Sequence, residues 1–142
     1  MKERLVLGGI VGVLLSLLAW NQHRFVHPHT VSFLPTLLMV PAILAAFFAM
    51  AWFVARRHAP ARPASLTTVA LPYIGVASAV YGVMFGYLTY QRYTLATVWD
   101  VAPRIGFSFL MSAGMMMLAG TICVAIAAWV LEVTRGESRP SP

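Results

Sequence analysis

No Asp, Glu, Lys or Arg occurs in residues 5–23, 25–55, 63–91 or 105–131. These mostly apolar stretches are 19, 31, 29 and 27 residues long. An α-helix needs about 20 such residues to cross the hydrocarbon of a bilayer. The spacing therefore predicts an all-α membrane protein with four transmembrane helices, at about residues 5–22, 32–55, 66–90 and 104–133. Short connections between them imply an up-down-up-down bundle, and the four spans consume nearly all of the 142 residues. One transmembrane domain, residues 1–133, is expected, followed by a short disordered cytoplasmic tail at 134–142, which is rich in Ser, Pro and charge.

Composition excludes the soluble alternatives. The chain is 60% hydrophobic and only 10% charged, where a soluble domain carries about a quarter charged residues. A net charge of +6 raises nucleic-acid binding as a possibility to test. The basic residues do not form a stripe or a basic arm, however; they stand at the ends of the apolar runs, where lipid headgroups lie. The partner implied is the bilayer, and no nucleic acid is expected. The single Cys123 rules out an intrachain disulfide and a Cys-rich metal cluster.

Orientation follows from the same charges. With a cytoplasmic amino terminus, the inner side holds Lys2, Arg4, Arg56, Arg57, Arg62, Arg135 and Arg139, seven residues against three (Arg24, Arg92 and Arg104) outside. The positive-inside bias predicts both termini in the cytoplasm, as in a multi-pass protein of the bacterial inner membrane. Trp20 and Trp99 then mark the outer boundary, and Trp52 and Trp129 the inner one. After Leu18 the chain reads Ala19-Trp20-Asn21-Gln22, without the small residues that signal cleavage requires, so the first helix is expected to be retained.

Small residues recur at helical spacing. Gly8, Gly12 and Ser16 share a face of the first helix; Ser78, Gly82 and Gly86 share one on the third; Ala119, Cys123 and Ala127 share one on the fourth. Such rows let helix backbones approach closely, and in lipid close approach drives association. The first and third helices run in the same direction, so their Gly rows are expected against each other, or against a protein partner or second copy of the chain.

Three further groups are candidates for a site. Pro41 and Pro72 interrupt backbone hydrogen bonding within the second and third helices. Interrupted helices often border a binding site, so these prolines, with Tyr81 and Thr121, mark a possible cavity. His23, His27 and His29 fall together in the first outer loop, and imidazoles are ligands for Zn, Cu or Ni. Met39, Met84, Met111 and Met115 fall in the outer half of the membrane, where soft thioethers would suit Cu(I). Met is also a general filler of irregular gaps.

Four spans in a short chain resemble the small multidrug resistance exporters, but those depend on an acidic residue in the first helix, and none follows Glu3 there. The stretch Ser32-Phe33-Leu34-Pro35 is similar to the start of the second helix in the small membrane subunits of tripartite tricarboxylate transporters. The likeness covers four residues, and no role is carried over from it. Mid-helix carboxylates or bases, the usual marks of ion coupling, are missing from the sequence. So are carboxylate pairs, nucleophile elbows and phosphate-binding Gly loops. The expectation is a non-enzymatic protein without a cofactor: an accessory or structural subunit joined through Gly/Ala-rich helix faces. The alternatives are a carrier or channel for a small neutral or lipid-like solute, and a metal-handling protein using the outer histidines.

Overall fold

The computed structural model describes residues 2–25, 33–58, 63–92 and 98–137, and all of them are helical. The helices are α1 (Lys2–Phe25), α2 (Phe33–His58), α3 (Pro63–Arg92) and α4 (Val98–Glu137). Each is long and apolar enough to cross a membrane, with spans at Lys2–Trp20, Met39–His58, Ser65–Gln91 and Trp99–Thr134.

The helices extend beyond the apolar runs. The expected limits at residues 55 and 66 are both passed: α2 continues through Arg56 and Arg57 to His58, and α3 opens on Pro63. A first-turn proline is at no disadvantage there, because the N–H it lacks has no partner in a first turn. The largest correction concerns α4. A start at about residue 104, after Pro103, was expected; the helix instead begins at Val98 and carries Pro103 inside it. That arrangement forgoes the bond to the Trp99 carbonyl. Asp100 in the first turn favours the helix start through the dipole, and Val101 is buried at 2% exposure. At the other end α4 includes residues 134–137, which the sequence reading assigned to the tail. Residues 138–142 lie outside the described part.

Among the described residues, α1 packs against α2 and α3, and α4 packs against α2 and α3. Helices α2 and α3 touch more slightly across the middle, and α1 does not meet α4. The most extensive interface is α3 on α4, followed by α1 on α3. Helix α3 is therefore the central element.

The contacts explain which residues are small. A β-carbon at Gly8 would lie 2.7 Å from the Tyr73 carbonyl oxygen, and one at Gly12 would lie 2.7 Å from Val80 Cβ. Both glycines thus set α1 directly on the backbone of α3. The row Gly82 and Gly86 faces α4, with Phe109 and Ala113 against Gly82 and Ile105 against Gly86. The expected meeting of two Gly rows does not occur: each row meets larger side chains on a different helix. On α4, Gly120 admits Ile74 and the Phe47 ring, each 2.7 Å from where its β-carbon would stand.

Of the remaining row members, Ser16, Ser78, Cys123 and Ala127 are buried. Four other hydroxyls bond back to a carbonyl of their own helix: Thr89, Ser112, Thr121 and Thr134. The hydroxyls of Ser16 and Ser78 are buried without a hydrogen-bond partner. Leaving a buried hydroxyl unsatisfied costs about 1–3 kcal/mol, whereas removing it costs little. Ser78→Ala is therefore expected to be neutral, or stabilising by about 1 kcal/mol, in a detergent unfolding titration. Clear destabilisation would show that this hydroxyl has a partner.

Three polar contacts lie at one end of the bundle. Arg57 Nη2 donates to Glu3 Oε1, tying the end of α2 to the start of α1. The Arg56 guanidinium stacks 3.9 Å from the centre of the Trp52 ring. His58 Nε2 lies 3.1 Å from the buried Tyr73 hydroxyl and so satisfies it.

Candidate functional site

Among the described side chains, α2 is fully buried only at Phe47, Met50, Ala51 and Val54, in its second half. Before Phe47 its described side chains are exposed or half-buried, and Pro41 is exposed. In this half Met39, Ile43 and Ala46 are only partly buried against the core. A cavity of about 490 Å³ is lined by Ile43 of α2, Tyr81 and Phe85 of α3, and a continuous stripe of α4. That stripe is Phe107, Ser108, Met111, Ser112, Met115, Met116 and Ala119, which follows the three- and four-residue spacing of one helical face. Such a volume falls in the range of small-molecule sites.

The lining is aromatic, thioether and aliphatic, interrupted by three hydroxyl-bearing residues and by no charged group. Tyr81 and Phe85 stack at a tilt, ring centres 4.9 Å apart, and form the α3 wall. The Ser112 hydroxyl donates to the Ser108 carbonyl and lies 3.2 Å from that of Phe109. Its proton is thereby held by its own helix. Ser108 instead meets α3: Thr89 Oγ1 gives its one proton to the Phe85 carbonyl at 2.9 Å and accepts from the Ser108 hydroxyl at 2.9 Å. A serine hydroxyl has one proton and two lone pairs, so Ser108, its proton given to Thr89, keeps its lone pairs for a donor.

The cavity is open along its flank. Phe107 and Met115 are about two-thirds exposed and Met111 is half exposed. These side chains form a wall at the surface of the bundle, where the surrounding medium reaches them.

Of the cavity residues expected from sequence, Tyr81 lines the space. Pro41 and Pro72 are exposed and line nothing here. Thr121 bonds the Met117 carbonyl of its own helix and is also absent from the wall. Ala119, singled out as a packing residue, lies at the inner limit of the lining instead. Ser108 and Ser112 were missed. Their four-residue spacing, in step with Met111, Met115 and Ala119, was the available signal. Met111 and Met115 are brought together in one wall, while Met39 and Met84 pack against the core elsewhere.

His27 and His29 lie outside the described residues, and of His23 only the backbone, within α1, is described. Among the described residues no three of His, Cys, Asp and Glu gather in a group able to hold a metal ion. Searches against protein-family models, curated proteins and solved structures find no match to this chain.

Proposed function

We propose that this chain is a non-catalytic integral protein of a bacterial inner membrane that holds a small neutral or lipid-like solute between α2, α3 and α4. The observation that carries the reading is the uncharged cavity of about 490 Å³, open on the flank of the bundle. In a bilayer that flank faces hydrocarbon, so an apolar solute reaches the site without crossing water.

The threading proposed is up-down-up-down with both termini cytoplasmic. Three contacts support it. Glu3 and Arg57 join the start of α1 to the end of α2. Residue numbers rise together along α1 and α3, from Gly8 beside Tyr73 to Gly12 beside Ala77 and Val80. They run oppositely along α3 and α4, where Gly82 meets Phe109 and Ala113 and Gly86 meets Ile105. The excess of Lys and Arg on the side holding both termini supplies the sidedness. Reporter fusions at Met1 and Pro142 are expected to report the same, cytoplasmic, compartment; opposite compartments would end this assignment.

Ala119→Phe tests the binding reading directly. The added ring fills the inner limit of the cavity and is expected to reduce retention of a lipophilic dye or co-purifying lipid at least about tenfold, the effect of losing about 1.4 kcal/mol. Equal, saturable retention by both forms would place the solute elsewhere; no saturable retention by either would remove the function.

A second reading, an accessory subunit, rests on different glycines from those expected. Gly8, Gly12, Gly82 and Gly86 are occupied within the bundle, whereas Gly9, Gly106 and Gly114 have nothing within 4 Å of a β-carbon. A partner helix, or a second copy, seated there would approach closely. Crosslinking in mild detergent that yields only monomer with no co-purifying protein would exclude this reading.

A further inference from the structure

Resting on the solute-binding reading, we propose that the occupant is an uncharged amphiphile with a single hydroxyl head, the head donating to Ser108 and the tail laid along Met111, Met115 and Ala119. The cavity follows α4 from Phe107 to Ala119, twelve residues and so about 18 Å. Polar capacity is unequal along that length. Near one end, Ser108 gives its proton to Thr89 and still offers lone pairs to a donor. Ser112, one turn on, has likewise committed its proton, to the Ser108 carbonyl. Beyond it the α4 wall is thioether and methyl as far as Ala119. A molecule polar at one end and apolar along the rest matches that gradient; a solute polar throughout does not.

Charge is excluded on the same grounds. No Lys, Arg, His, Asp or Glu lines the cavity, and a charged head left unpaired in an apolar wall carries a heavy desolvation penalty. The depth fits as well. Ser108 lies four residues, about 6 Å, from Arg104, and Trp99, 86% exposed, marks a headgroup boundary a little further along. The head would therefore lie just beneath the interface, with its tail directed toward the middle of the bilayer. The exposed Phe107, Met111 and Met115 line a lateral path by which a tail slides in from the same leaflet. Unbranched methionines adapt to a flexible chain better than branched side chains do.

Tyr81 also lines the cavity, and its phenol is the rival anchor, which the experiment separates. The full chain in lipid nanodiscs is photolabelled with two hexadecanol probes, one with a diazirine beside the hydroxyl and one with it at the far end. Hexadecane bearing a diazirine is the headless control. Saturable labelling of residues 105–111 by the first probe and residues 115–120 by the second is expected. Ser108→Ala is expected to weaken hexadecanol binding roughly 2- to 12-fold, the range of one hydrogen bond, and to leave hexadecane unchanged. Three results would overturn the assignment while preserving a binding site: labelling in the reverse order, labelling without order, or a loss with Tyr81→Phe but not with Ser108→Ala. Absence of saturable labelling by all three probes would overturn the binding reading as well.

Discussion

Gly12→Leu is expected to destabilise the bundle by about 3 kcal/mol, the upper range for forcing a side chain into a filled interior. A β-carbon at this position would lie 2.7 Å from Val80 Cβ, 2.9 Å from the Ala77 carbonyl oxygen and 3.1 Å from Ala77 Cα. Two of those three atoms are backbone, so no rotamer change relieves the overlap. Helix α1 must move away from α3 as a unit. In doing so it also gives up the Gly8 contact, where the Tyr73 carbonyl and Val76 Cβ stand 2.7 and 2.8 Å from a β-carbon position. In lipid these van der Waals contacts are a main source of helix association, since water is not there to drive apolar groups together. Gly9→Leu is the internal control. Nothing lies within 4 Å of a β-carbon there, and the change is expected to stay within about 0.5 kcal/mol. Unfolding midpoints in mixed denaturing and mild detergent compare the two. Equal damage from both variants would mean that α1 does not dock on α3 through Gly8 and Gly12.

Phe47→Ala should have a comparable or larger effect, about 3–5 kcal/mol by analogy with buried aromatic truncations. Phe47 is 0% exposed, and its ring edge fills the notch at Gly120, with Cε1 at 2.7 Å and Cζ at 2.9 Å from the β-carbon position. Removing the ring takes away a close contact between α2 and α4. Gly120→Leu alone is expected to be damaging for the opposite reason, because the same notch is then overfilled. The double variant tests whether the two describe one contact. Leucine at 120 would occupy space the ring has vacated, so the combined loss should fall short of the sum by about 0.5–3 kcal/mol. Strict additivity would show that Phe47 and Gly120 do not share this space.

The four helices were legible because the absence of charge over about twenty residues has one common physical cause, a medium without water. The limits of the helices were not legible in the same way. A charge-free run measures the apolar length, whereas a helix continues into the headgroup region as long as its backbone bonds remain satisfied, as α2 does through Arg56 and Arg57. Pro103 suggested a boundary and instead lies inside α4. The small-residue rows were legible as faces but not as pairs. Spacing of four shows that Gly82 and Gly86 point one way; it does not reveal that Phe109 and Ile105, rather than Gly8 and Gly12, stand opposite. The cavity was half visible. Tyr81 was found, while the prolines drew attention to the wrong faces of α2 and α3. The space is bounded by residues of α2, α3 and α4 together, a tertiary feature with no local signature. The stripe that lines it mixes Ser with Met, and neither residue type distinguishes a wall from a filled interior.

Helix α4 has 40 residues, about 60 Å of rod set in a hydrocarbon layer about 30 Å thick. It must lean, or stand clear of the headgroups at one end. A leaning rod changes its slope when the layer around it thickens or thins. Because one face of that rod is the longest wall of the Tyr81 cavity, lipid chain length becomes a control on the shape of the site. Occupancy measured across bilayers of graded thickness is therefore expected to peak at one thickness and fall on either side of it.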